Sequence, residues 1–197
     1  MKKKAIIAVS ALALMLCFSI VGTLAWLKTK TTPVVNTFTY GDINITLTEE
    51  AGKDSDYEFK MIPGNDITKD PKVTVEKDSE ACWLFVKVEK SANYSTYLND
   101  YAVAADWTEL TDENGDNVEG VYYRDVAATT TDVSFYVLAG KEGYQNGYVT
   151  VNDAVTKAQM ESIKESGQPT LTFTAYAVQK DNVASAAAAW EIAIGNI

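Results

Sequence analysis

The stretch ACWLFVKVEK, residues 81–90, decides the fold class of this chain. Its first half is apolar at successive positions, which is typical of a strand covered on both faces. Its second half alternates Val86 and Val88 with Lys87 and Glu89. That change of pattern predicts a strand that runs from the core of a β-sandwich to its rim. Cys82 lies in the apolar half, so we expect it to be a core side chain rather than a reactive thiol.

The same period-two alternation recurs along the chain. In DINITLT, residues 42–48, the side chains of Ile43, Ile45 and Leu47 share one face. Further alternating stretches are PKVTVEK (71–77), GVYYRDV (120–126), DVSFYVL (132–138), GYVTV (147–151) and PTLTFTAYAV (169–178). Turn residues separate them, as in Pro63-Gly64-Asn65. Many short strands joined by turns predict an all-β fold, an antiparallel β-sandwich.

Two stretches have helical features. In VTKAQMESIKESG, residues 155–167, we expect Thr156 to cap a helix with Gln159, and Gly167 to end it after Lys164. The alanine-rich NVASAAAAWEIA, residues 182–193, predicts a second helix that packs Trp190 onto the sandwich.

The N-terminus resembles an export signal. Three lysines, an uncharged stretch from Ala5 to Val21 and Gly22 precede the small residues Thr23 and Ala25. This pattern predicts a signal peptide of residues 1–25 that is cut between Ala25 and Trp26. The alternative is an uncleaved membrane anchor, because the uncharged run is nearly long enough to span a bilayer. Cleavage leaves an N-terminal arm, residues 26–33, and one domain, residues 34–197.

Composition excludes several function classes. The chain has no histidine, so histidine-dependent catalytic sets and zinc motifs are absent and we expect no enzyme activity and no cofactor. Removal of residues 1–25 leaves 14 basic and 27 acidic residues, a net charge of −13. Such a protein repels nucleic acid and anionic membrane, so we expect neither as a partner and membrane contact only through the uncleaved leader.

Two surface features are candidates for binding. Asp112, Asn114, Asp116 and Glu119 provide oxygen ligands at a spacing that a weak calcium loop tolerates, although the EF-hand register is not met. The alternative interpretation is a solvated hairpin turn. Four aromatic residues are candidates for a carbohydrate groove or, alternatively, for core packing: Tyr94, Tyr97, Tyr101 and Trp107.

The arm that cleavage would free has its own pattern. Trp26 and Leu27 form an apolar tip, and the body alternates lysine and threonine as Lys28, Thr29, Lys30, Thr31 and Thr32. Pro33 ends the run. The arm is either the first edge strand of its own sandwich or a donor strand that completes the sheet of a neighbouring subunit. The pattern by itself leaves both open.

Four stretches resemble the TasA/camelysin-like secreted proteins of Gram-positive bacteria. They are GTLAW running into VVNTFTYGDINITLTE, MIPGNDITKDPKVTV, EACWLFVKVEK, and the closing TAYAVQKDN and AAAAWEI, which are similar to a clostridial branch of that group. The resemblance implies a jelly-roll-like β-sandwich that a dedicated signal peptidase releases and that polymerises into biofilm-matrix fibres. It also implies that residues 26–32 insert as a strand into the next subunit.

The sequence therefore predicts a secreted, non-enzymatic fibre subunit whose partners are further copies of itself, the signal peptidase during export and other matrix components. The alternative is a monomeric cell-surface or matrix module that binds glycan or protein through residues 93–101 or 112–120. Some proteins of the resembled family have been called metalloproteases. Because no histidine and no replacement ligand set is present, we do not expect proteolysis from this chain.

Overall fold

The structure, a computed structural model, describes residues 42–51 and 59–195, without the side chains of residues 164–166. The described part contains nine strands and three helices. The strands are β1 (Ile45–Thr48), β2 (Asp66–Thr68), β3 (Lys72–Val75), β4 (Cys82–Lys90), β5 (Thr108–Thr111), β6 (Asn117–Val126), β7 (Val133–Tyr136), β8 (Tyr148–Thr150) and β9 (Leu171–Gln179). The helices are α1 (Tyr94–Tyr97), α2 (Lys157–Ser166) and α3 (Ala186–Ala193).

All strand pairs are antiparallel. One sheet has the order β5-β6-β4-β9, a second has the order β1-β3-β7, and β2 pairs with β8. The register of β4 against β9 places Cys82 opposite Gln179 and Lys90 opposite Leu171, so both strands pair over their whole length. The prediction of a mainly β, antiparallel sandwich with a few short helices is confirmed.

The main core lies between the sheets. It combines one face of β4, formed by Cys82, Leu84, Val86 and Val88, with Val73 and Val75 of β3 and with side chains from β8 and α1. The four β4 side chains are at most 5 % exposed. Burial of this face is the main driving force for stacking the sheets.

A second core covers the other face of the same sheet. There α3 packs Ala186, Ala189 and Trp190 against Phe85 and Leu110. The Trp190 ring lies 5.4 Å from that of Phe85 and 5.2 Å from that of Tyr176, centroid to centroid. The central part of β4 is therefore buried on both faces, as its continuous apolar run predicts, and the predicted packing of Trp190 is confirmed.

The two predicted helices are present in the structure, which differs from the prediction in the end of α2 and in one additional helical turn, α1. Thr156 and Gln159 form the expected capping box at the start of α2. The helix continues to Ser166 and has Gly167 as its C-cap, so the predicted end after Lys164 is two residues short. The helical turn α1 was not predicted, because four residues are too few for a visible 3.6-residue period.

Candidate functional site

Two edge strands lie next to each other on one side of the sandwich. β1 ends its sheet and β9 ends the other, and their Cα atoms approach within contact distance. Among the described residues, β1 pairs only with β3 and β9 only with β4. An edge strand with an unpaired side has backbone N–H and C=O groups that can pair with a further strand. Each of the two neighbouring strands of this β1/β9 seam therefore has one side on which, among the described residues, no further strand is paired.

The core-facing side chains along β9 are less buried at this seam than those of β4. Its core-facing side chains, Leu171, Phe173, Ala175 and Ala177, are only partly buried, although they pack against the main core. Their counterparts on β4, one strand further in, are nearly inaccessible to solvent. Within residues 42–51 and 59–195, the main core is therefore less completely covered at the β9 edge than at β4.

Two adjoining cavities, of about 370 and 450 Å³, form a groove along this seam. We call it the seam groove. Both cavities are lined by Lys69, Leu171 and Thr172. Most of the residues that line the first cavity are apolar; besides Leu171 they are Phe59, Met61, Ile67, Leu98, Val149, Ile163 and Pro169. The second runs along the end of β1 and is also lined by Leu47, Thr48, Glu49, Pro71 and Phe173.

One ion pair lies where the two cavities meet. Lys69 Nζ is 2.8 Å from Glu49 Oε2, and both side chains are less than 15 % exposed. The same ammonium group lies 5.4 Å from the ring centroid of Phe59 and 5.7 Å from that of Phe173. Burial raises the pKa of Glu49, and it outweighs the lowering effect of Lys69. Lys69 and Glu49 are the only charged residues among those that the structure shows lining the two cavities.

Backbone contacts fix the position of Lys69. Its N–H donates to the carbonyl oxygen of Gly147, at 3.2 Å. A Cβ on Gly147, whose φ is +124°, would lie 2.4 Å from the carbonyl oxygen of Lys69. Only glycine allows these two backbones to approach so closely. The chain next to Lys69 is held too, since Asp70 Oδ1 accepts the N–H of Ala51. These contacts hold the backbone at Lys69 in place.

The opposite side of the sandwich is covered. The segment that precedes β5 lies along the residues that follow β7, where the N–H of Ala104 donates to the carbonyl oxygen of Val137 and that of Ala139 donates to Ala102. Trp107 Nε1 donates to the carbonyl oxygen of Tyr136, at 2.9 Å. The Arg124 guanidinium group lies 3.5 Å from the Phe135 ring centroid. In the described part of the chain, the seam groove therefore marks the open side.

Three of the four candidate calcium residues, Asp112, Asn114 and Asp116, lie in the hairpin turn between β5 and β6. The Asp112 carboxylate accepts the backbone N–H groups of Asn114 and Asp116, at 2.8 and 2.9 Å. The bond from Asp116, followed by those from Asn114, lowers the pKa of Asp112. Glu119 lies exposed on β6. In residues 42–51 and 59–195, no group of three or more Asp, Glu, Cys or His side chains is close enough to hold a metal ion.

The candidate aromatic residues belong mainly to the core. Tyr94, Tyr97 and Trp107 are at most 6 % exposed, so these rings do not form a surface groove and that alternative is wrong for them. Tyr101 is partly buried and packs against the main core. Cys82 is fully buried as expected, and burial, with a smaller contribution from Asp125, raises the pKa of its thiol to about 11. A thiol in that state is unreactive at neutral pH.

The predicted cleavage site and donor strand lie outside the described residues. This applies to Ala25 and to the arm from Trp26 to Thr32. Within the described part, none of the helices has the length and apolar character needed to span a bilayer. No protein-family model, no curated protein and no solved structure matches this chain.

Sequence reasoning missed the seam groove. Leu47 and Leu171 are separated by more than a hundred residues and meet only because β1 and β9 are each the end strand of a sheet. Two weak signals were present. Lys69 is a charged residue beside the predicted strand at 71–77, and the core-facing row of residues 171–177 changes from large to small side chains. Neither signal has a defined meaning before the strand order is known.

Proposed function

We propose that this chain is a secreted structural subunit of extracellular matrix fibres. After cleavage behind Ala25, the arm of one copy, Trp26 to Thr32, adds as a strand in the seam groove of the next copy. The open β1/β9 seam is the observation that carries the proposal. It combines two edge strands, a partly covered core and a groove lined by residues of both strands in the same place.

The length of the arm is compatible with that of β9. Seven extended residues span about 23 Å, the length of six or seven residues of a neighbouring strand. β9 has nine residues and is flanked by the groove over its first part. In such strand addition, main-chain hydrogen bonds supply affinity and alternate side chains fill pockets.

The distribution of charge along the chain also favours a second copy of the chain as the partner. The arm, residues 26–33, contains two lysines and no acidic residue, whereas residues 34–197 contain 12 basic and 27 acidic residues. The arm of one copy is therefore attracted to the body of another. This attraction raises the rate of encounter and decreases with added salt.

A contact between the arm of one copy and the groove of another can repeat head to tail and so form a filament. Arm and groove are different surfaces, so each bound copy still presents one free arm and one free groove. Assembly continues without closure unless the geometry forms a ring. Cleavage gates the process because, before it, residue 26 continues the apolar leader.

The first experiment compares a chain that begins at Trp26 with one that begins at Pro33. All described strands and helices begin at Ile45 or later, so neither chain lacks any of them. We expect fibres, by electron microscopy and sedimentation, only from the longer chain. The shorter chain retains a groove without an arm, so a small fraction of it mixed into the longer chain should shorten the fibres.

Two results would contradict the proposal. Identical fibres from both chains would show that the arm is not the donor. If the longer chain remains a monomer by light scattering at all concentrations and binds a glycan or protein ligand, the alternative of a monomeric binding module is the correct one.

A further inference from the structure

The proposed contact leaves open which face of the arm enters the seam groove. In an extended strand, successive side chains point to opposite sides. Leu27, Thr29 and Thr31 therefore share one face of the arm, and Trp26, Lys28, Lys30 and Thr32 share the other. Only one of these faces can point into the core.

The positive charge of Lys69 makes one face of the arm less favourable in the seam groove than the other. Lys69 lines both cavities, and its ammonium group is already paired with Glu49, at 2.8 Å. The pair leaves the groove floor close to neutral. An arm that points Lys28 and Lys30 inward would bring two further cations beside Lys69 in a site that the arm itself closes to water. Buried charges without partners are strongly unfavourable, and like charges repel more strongly in such surroundings.

The face formed by Leu27, Thr29 and Thr31 matches the residues that line the seam groove. Leu27 is apolar, as are Ile67, Val149 and Ile163 in the first cavity. Thr29 and Thr31 are β-branched and compact, which suits the polar and apolar mixture formed by Thr48, Leu47 and Phe173 in the second. In this orientation Lys28 and Lys30 face solvent, where lysine is common on edge strands.

We propose that Lys69 selects the face of the incoming arm, so that Leu27, Thr29 and Thr31 of a second copy point into the seam groove and Lys28 and Lys30 point to solvent. This inference rests on the proposed function. It names the partner's contact residues and gives Lys69 the role of excluding a cationic face.

The test moves one positive charge from one face of the arm to the other without changing composition. The double variant Lys28→Thr with Thr29→Lys places a lysine on the inward face. The matched double variant Lys28→Thr with Thr32→Lys keeps both lysines on the outward face. Both are made in the chain that begins at Trp26, and the critical concentration for fibre formation is measured by sedimentation.

We expect the inward variant to require at least about tenfold more protein than the outward variant, a difference of about 1.4 kcal/mol. Adding Lys69→Met to both arm variants should reduce this difference, because in the inward variant it removes the positive charge that repels the new lysine. Thermal unfolding of the monomers checks that the folded body is retained. A role of Lys69 in stability alone would affect both arm variants equally and produce no such rescue.

Equal critical concentrations of the two arm variants, or a lower value for the inward one, would overturn the proposed orientation. The chain that begins at Pro33 is measured in parallel. If it also polymerises, the donor role fails as a whole. Equal behaviour of the two arm variants with an inert shorter chain refutes the proposed orientation and the role of Lys69 but leaves the donor role intact.

Discussion

Filling the apolar cavity of the seam groove should block assembly without unfolding the protein. Ile163 lies on α2, is partly buried and lines the first cavity. Replacing it by tryptophan extends a larger side chain into a space of about 370 Å³. Because the enlarged side chain occupies existing space, we expect the melting temperature to be unchanged or higher.

The expected loss of binding free energy follows from the exclusion of Leu27 of the incoming arm. Full burial of one leucine contributes about 1.5–3 kcal/mol. If Ile163→Trp excludes Leu27 of the incoming arm, the critical concentration should rise about 10- to 150-fold, since each 1.4 kcal/mol corresponds to a factor of ten. The variant retains its own arm, so it should still add to the free groove of a normal fibre and stop its growth.

The matched control is Glu161→Trp. Glu161 is on the same helix, two residues away, and its side chain is 69 % exposed. It does not line either cavity. Critical concentrations come from sedimentation, and folding is checked by thermal unfolding. The reasoning is refuted if Ile163→Trp, with a normal melting temperature, assembles at the same concentration as Glu161→Trp.

Three further predictions concern stability and pH. Gly120 has φ +69°, and a Cβ there would lie 2.4 Å from the carbonyl oxygen of Val88. Gly120→Ala should therefore lower the free energy of unfolding, measured by chemical denaturation, by about 2 kcal/mol or more. An unchanged free energy of unfolding would show that β6 can shift to make room for the added methyl group. Trp190→Ala should lower the free energy of unfolding by about 3–5 kcal/mol, and a loss below about 1 kcal/mol would mean that α3 is dispensable for the fold. Because burial raises the pKa of Glu49 above its ordinary 4.5, the folded state binds a proton more tightly than the unfolded chain, and stability should decline as pH rises above about 4.5. Glu49→Gln should flatten that decline, and an unchanged slope in denaturation curves across this pH range would contradict the assignment.

The strands and caps could be predicted because their determinants are local. Alternation in residues 42–48 and 169–178 indicates strands because side chains point to opposite faces of a pleated chain. The continuous apolar run at 82–86 indicates coverage on both faces, and α3 and β3 provide it. Thr156 and Gln159 are three residues apart and need only one turn of helix to meet. In each case the physical cause lies within a few residues of the pattern.

The burial of individual aromatic residues was harder to predict from the sequence than the strands and caps were. Tyr94 and Tyr97 are spaced by three, which fits a helical turn, yet the segment between β4 and β5 has no longer helical period to support it. Both rings are buried because the sheets leave space for them, and Tyr97 OH reaches the carbonyl oxygen of Gln159 on α2, at 3.2 Å. Such contacts depend on elements that are far away in the chain.

The sequence by itself determined that this chain forms a β-sandwich without histidine chemistry, and it predicted an export signal followed by a short amphipathic arm. Only the tertiary structure decided which strands end the sheets and lie next to each other. The reason is that strand order, unlike strand character, is set by long-range pairing: β1 with β3 and β9 with β4 leave two sheet ends side by side. The pairing brings Glu49 and Lys69 together at that seam, and no local pattern in the sequence contains this juxtaposition.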